Sequence, residues 1–170
     1  MNAFTLSNIF PHAWLPFFDW IEHTRHGTVI RDSIWQFAAI EAVHLLALAV
    51  IGGSVLIVDL RLMGWTLRRQ PVNQVARDAE PWLVGSLFMM LLSGYLLFSS
   101  LAASKYFVNF AFQLKMLFLL LAIIFTFTIR RAVIYKEDSQ ISPITARLVA
   151  IVSVLLWSGV GIMGRGIGFY

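Results

Sequence analysis

Apolar positions along the chain gather into four long blocks divided by short polar stretches. Each block is near the ~20 residues an α-helix needs to cross a bilayer. The first covers about residues 33–58, through EAVHLLALAVIGGSVLIV, and closes at Asp59 and Arg61. The stretch 64–80, GWTLRRQPVNQVARDAE, is polar and basic. A second span is predicted over about 81–102, opening on Pro81 and Trp82; proline is well tolerated in a first helical turn. The loop ASKYFVN leads to a third span, about 109–134, that ends in Arg130 and Arg131. The loop YKEDSQISP leads to a fourth, about 144–164.

Ahead of the first span the pattern changes. Residues 12–31 interleave Trp14, Phe17, Phe18 and Trp20 with Asp19, Glu22, His23, Arg25 and His26. Aromatic and charged residues mixed in this way predict a short amphipathic helix lying in the membrane interface. Pro11 and Pro16 mark its start and Gly27 its end. The N-terminal MNAFTLSNIFPHAW has neither a basic start nor an unbroken apolar run, so a cleavable signal peptide is not expected and the first span directs insertion. The fold class that follows is all-α: an integral membrane four-helix bundle, up-down-up-down, with an N-terminal interfacial helix, forming one transmembrane domain over 1–170. Gly52, Gly53, Gly85, Ser93, Gly94, Ser153, Gly161 and Gly164 are small enough to let such helices approach closely.

Composition sharpens this picture. Hydrophobic residues make up 59% of the chain and charged ones only 13%, against roughly half and about a quarter in soluble domains. The absence of cysteine excludes disulfides, iron–sulfur clusters, thiolate metal sites and covalent c-type haem attachment. The formal net charge of +4 reads as topology rather than as nucleic-acid binding, because the basic residues sit at helix ends and in short loops. Arg61, Arg68, Arg69, Arg77, Arg130, Arg131, Lys136 and Arg147 fall on one side, and Arg25, Arg31, Lys105 and Arg165 on the other. Eight against four places both termini outside the cytoplasm. In a bacterial inner membrane that side is the periplasm, and the expected surroundings are lipid with a homo-oligomer or a redox partner subunit.

Ionisable residues within a bilayer are costly and therefore functional suspects. Glu41 and His44, three apart, share a helical face. Gly52, two turns on, is expected to leave room beside the imidazole. His44 lies nine residues past Trp35, roughly 13 Å into the helix. Lys115 comes early in the third span and Arg165 late in the fourth, both toward the same side, and Tyr95 and Trp157 can add hydrogen bonds. One imidazole with two cations suits an anionic ligand such as haem, with His on iron and Lys and Arg on propionates. The plainer alternative is structural. Glu41 and Lys115 neutralise each other, His44 is hydrogen-bonded inside the bundle, or Lys115 snorkels to the interface. His44 is the one histidine within a span, so no second axial ligand is evident; Met89, Met90, Met116 and Met163 more often serve packing. His12, His23 and His26 form a looser group on the outer segment, where Glu22 or Asp19 can complete a transition-metal site. The string Gly159-Val-Gly161-Ile-Met-Gly164 lies in an apolar helix with no preceding strand, so it is not a dinucleotide loop. Asp59-Leu-Arg61 at a helix end reads as an anchoring ion pair.

The stretch IEAVHLLALAVIGGSVLIVDLRLMG, with FQLKMLF and LWSGVGIMGRGIGFY, resembles an uncharacterised bacterial family of four-helix membrane proteins over most of residues 30–170. More distantly, the chain is similar to HemJ-type protoporphyrinogen oxidases and CopD-type copper-resistance membrane proteins. That resemblance matches His44 to the first-helix histidine, Arg61 to the arginine ending that helix and Lys115 to the third-helix lysine, and it implies haem, porphyrin or copper as cargo. It departs in having no histidine in spans two to four. The expected function is a haem b-binding redox or electron-transfer subunit. His44 is the axial and metal-binding ligand, Glu41 orients it, and Lys115, Arg165 and Trp157 complete the cofactor site. A HemJ-like porphyrinogen oxidase, a copper-handling protein and a non-catalytic accessory subunit are the alternatives.

Overall fold

The computed structural model describes residues 10–136 and 142–169; the start of MNAFTLSNIFPHAW and the middle of the loop YKEDSQISP lie outside them. No strand occurs among the described residues. Among the described residues four helices are long and apolar enough to cross a membrane: Ile34–Leu62, Val72–Ser100, Phe110–Ile134 and Pro143–Phe169. Large apolar side chains such as Leu45, Leu46, Phe88, Leu120 and Leu155 stand exposed along them, the inside-out surface expected of helices solvated by lipid tails.

The N-terminal segment is not one helix. A 3₁₀ turn, His12–Trp14, leads into α1 (Leu15–Glu22), and α2 (Arg25–Asp32) follows after a break. The break sits at Thr24, whose backbone is extended and whose hydroxyl donates to the Ile21 carbonyl at 2.7 Å. Gly27 does not end a helix but lies inside α2. A Cβ there would stand 2.5 Å from the carbonyl oxygen of Ser99, so glycine lets α2 press onto the end of α4.

Ser33 then caps α3 (Ile34–Leu62), its hydroxyl accepting from the Gln36 amide at 3.3 Å. The second spanning helix, α4 (Val72–Ser100), begins well before Pro81. The second half of the polar stretch 64–80 thus belongs to the helix rather than preceding a span that opens at Pro81, because Val72, Val75 and Ala76 recur at helical spacing and pack on Val58, Leu62, Val133 and Ile134. Pro81 therefore lies inside a helix, where it withholds the amide that would reach the Arg77 carbonyl.

A π-helical turn, Ala102–Tyr106, connects to α5 (Phe110–Phe125), capped by Asn109, whose side chain accepts from the Phe112 amide at 3.0 Å. A second π-helical segment, Thr126–Arg130, interrupts this span before α6 (Arg131–Ile134). The last span is α7 (Pro143–Gly166) with a 3₁₀ turn, Ile167–Phe169.

Packing runs α4–α3–α7–α5, with α2 laid on α4. The backbones of α4 and α5 stay apart. Side chains bridge that seam instead: Phe98 stacks on Phe112 at the end where the chain begins and finishes (the terminal end), and Glu80 pairs with Arg131 at the opposite, loop end. Three apolar layers fill the interior. Phe18, Ile21, Ala102 and Phe107 cap the terminal end; Ala47, Ile51, Val55, Leu83, Leu87, Met90, Leu119, Ala122, Trp157 and Val160 form the middle; Val58, Leu62, Val149 and their neighbours close the loop end.

Candidate functional site

α3 carries a buried imidazole between two other spans. His44 Nδ1 lies 3.0 Å from Ser93 Oγ on α4, and His44 Nε2 lies 3.3 Å from Lys115 Nζ on α5. The serine decides the tautomer. Its hydroxyl donates to the Met89 carbonyl at 2.6 Å, so it accepts from the ring. The Met90 carbonyl also neighbours the imidazole and can only accept. Nδ1 therefore carries the proton, and Nε2 presents its lone pair to the lysine ammonium. His44 is ten residues from the start of α3, about 15 Å along the axis.

The room for the ring comes from Gly94, not Gly52. A Cβ at Gly94 would stand 3.1 Å from His44 Cε1, whereas one at Gly52 meets nothing within 4 Å. Gly164 on α7 borders the lysine: a Cβ there would lie 3.5 Å from Lys115 Nζ. Ser93, Gly94 and Gly164 are thus close-approach residues as expected, while Gly52, Gly53, Gly85 and Gly161 face open space.

The other expected members of the site lie elsewhere. Glu41 is exposed and makes no hydrogen bond or ion pair among the described residues. It does not orient His44; three residues along α3 turn the two side chains far enough apart for one to be buried and the other not. Its charge is felt by Tyr106, whose hydroxyl is pushed up to about 12, first by burial and then by the Glu41 carboxylate. Arg165 is exposed and lies over the Phe169 ring at 5.2 Å, directed to the chain end rather than to His44. Trp157 is buried in the middle layer and donates to Thr126 Oγ1 at 3.1 Å. Tyr95 meets His26 Nε2 at 3.1 Å.

The three N-terminal histidines do not converge. His12 packs against Phe107, His23 lies over the Asp19 carbonyl at 2.9 Å, and His26 turns to Tyr95 and Thr24. No group of three or more His, Asp or Glu side chains suited to a metal occurs among the described residues.

A second polar centre, unforeseen in the sequence, occupies the loop end. Asp59 does not pair with Arg61; its Oδ1 accepts from Arg130 Nε at 2.8 Å, and Arg130 Nη2 donates to the Val55 carbonyl at 3.2 Å. Asp59 is fully buried and Arg130 is 4% exposed. Ser153 is a neighbour, yet neither Asp59 Oδ2 nor the Ser153 hydroxyl completes a hydrogen bond. Arg61 is used differently, its Nε donating to the Gln70 carbonyl at 2.7 Å and closing the loop. The π-helical segment places both Thr126 and Arg130 inward; such bulges recur at functional positions.

A third feature is the carboxylate of Glu22 on α1. Its Oε2 accepts from the amides of Ala103 and Ser104 at 2.7 and 2.8 Å, and its Oε1 from Arg31 at 3.2 Å. It ties the N-terminal cap to the turn between α4 and α5.

A model of DUF6644, a family of unknown function, matches residues 17–170. The chain belongs to DUF6644. No curated protein and no solved structure matches it. The matched region of this DUF6644 chain takes in α2 to α7 and nearly all of α1, and with them the His44–Lys115 pair, the Asp59–Arg130 pair and Glu22.

Proposed function

We propose that this DUF6644 protein is a membrane redox subunit that holds a b-type haem through His44. One observation carries the reading: His44 is locked by Ser93 with its proton on Nδ1, leaving the Nε2 lone pair directed toward a cation. An axial imidazole needs that tautomer, its far nitrogen held by a hydrogen bond. The residues present fit one axial bond. Lys115, now against Nε2, is the group that would turn to a propionate, and Gly94 and Gly164 leave the two side chains space. A haem would have to enter through the seam between α4 and α5, parting the side chains that bridge it. Haem would supply one-electron transfer between a membrane donor and an external partner. Arg165 and Trp157 have other partners and are not assigned to the site.

The orientation proposed with it puts the terminal end, with Arg25, Arg31, Lys105 and Arg165, in the periplasm of a bacterial inner membrane. The eight basic residues of the loop end then face the cytoplasm. Glu41 favours a partner: an exposed carboxylate within a spanning helix is costly unless another chain covers it.

A second reading, a non-catalytic accessory subunit, is favoured by the fact that both ring nitrogens of His44 already have protein partners. The same pair then serves only to fasten α3 to α4 and α5. The porphyrinogen oxidase and the copper-handling protein suggested by distant resemblance gain no comparable observation. A reduced-minus-oxidised spectrum of protein expressed with ample haem separates the two readings. The haem reading expects a Soret band that His44→Ala abolishes; a well-folded protein without the band overturns it and leaves the accessory role.

A further inference from the structure

The loop end of the α4–α5 seam holds a site unrelated to His44. A groove of about 610 Å³ opens there, lined by Arg77, Glu80, Phe127, Thr128, Arg131 and Tyr135. It falls within the ~300–1,000 Å³ typical of small-molecule sites. Arg77 and Arg131 both lie over the Tyr135 ring, at 5.9 and 5.2 Å from its centre. Glu80 accepts from the Tyr135 hydroxyl at 2.7 Å and pairs with Arg131. The carboxylate therefore positions one arginine and the ring together. Glu80 pairs with Arg131, and Arg77 makes no salt bridge among the described residues, so Arg77, Arg131 and Glu80 together carry one net positive charge.

The depth of the groove identifies what that charge meets. Trp82, 67% exposed, stands where the apolar part of α4 begins, and Tyr135, also exposed, follows the last residue of α6, positions that suit amphipathic rings at headgroup level. Arg77 lies five residues from Trp82 on the same helix, about 7.5 Å toward the loop end. About one turn from Arg131 toward the bilayer centre the lining is the apolar ring of Phe127. A ligand filling the groove must present an anion at the arginines and a hydrocarbon along Phe127. We infer that it binds an anionic phospholipid, its phosphate between Arg77 and Arg131 and an acyl chain entering the seam along Phe127. A free phosphate offers the first feature without the second.

The test is native mass spectrometry of the whole protein released from mixed micelles containing phosphatidylglycerol and phosphatidylcholine of matched chains. Wild type retains the anionic lipid about five-fold over the zwitterionic one, the discrimination expected of one interfacial cation. Arg77→Gln, which breaks no salt bridge, brings the ratio close to one, and Arg25→Gln at the opposite end leaves it unchanged. Equal retention of the two lipids by wild type, an unaltered ratio in Arg77→Gln, or displacement by millimolar inorganic phosphate overturns the assignment. None of these outcomes depends on whether His44 binds haem.

Discussion

Lys115 Nζ stands 3.3 Å from His44 Nε2, while Ser93 holds the other ring nitrogen at 3.0 Å. Three spanning helices meet in that one imidazole. Its position depends on the missing side chain at Gly94, where a Cβ would come within 3.1 Å of the ring. Gly94→Ala is expected to push the ring by a few tenths of an ångström and to lower stability by about 1–3 kcal/mol. Gly52→Ala, with open space around it, is expected to be neutral or slightly stabilising, since alanine is the better helix former. Thermal unfolding of both variants in detergent checks the contrast; equal effects would remove Gly94 from the site.

Asp59 and Arg130 make a strong case for a double-mutant cycle. Removing one partner of a buried pair strands the other's charge and costs roughly 3–5 kcal/mol. Arg130→Met and Asp59→Leu should each be severely destabilised, and the double variant should recover most of the loss. Denaturant unfolding of the four proteins measures the coupling. Additive losses would show that the pair is not what holds α3 to the end of the third span.

The Glu22 carboxylate is held below the usual carboxylate range. Burial pushes it up, but the Ser104 amide and side chain, the Ala103 amide and Arg31 together outweigh that. A carboxylate depressed on folding stabilises above its unfolded value and loses that contribution as the pH falls through the folded one. The N-terminal cap is therefore expected to remain docked at neutral pH and to loosen below about pH 4. Hydrogen exchange at the amides of Ala103 and Ser104 follows the event, and Glu22→Gln should show fast exchange there already at pH 7.

Trp157→Phe removes one buried hydrogen bond, to Thr126, and keeps most of the ring volume. A loss of about 1–3 kcal/mol is expected from the unpaired hydroxyl, with no change in any spectrum arising at His44. A spectral shift would return Trp157 to the cofactor site.

Four spans, their order and the membrane surroundings were legible because hydrophobic block length is set by bilayer thickness. His44 and Lys115 were legible for a related reason: charge in an apolar block stands out. What pairs with what was not. Glu41 and His44 share a sequence spacing, yet only one is buried, because a spacing of three leaves about 60° between side chains. Asp59 found Arg130 rather than Arg61, a contact 71 residues distant that no local pattern encodes. At the start of α4, Arg77, Asp78 and Glu80 make the composition polar and mask the helical spacing of Val72, Val75 and Ala76. Ser93 and Gly94 were legible as close-approach residues, but nothing local shows that they, rather than the equally small pair Gly85 and Ser86, meet the imidazole of His44.

The helices close on three sides and leave the fourth, between α4 and α5, bridged by side chains. The third span is nonetheless fastened to α3 at two depths, by His44 and Lys115 at 3.3 Å and by Asp59 and Arg130 at 2.8 Å. Those two clasps do across the open side what helix-to-helix packing does on the other three.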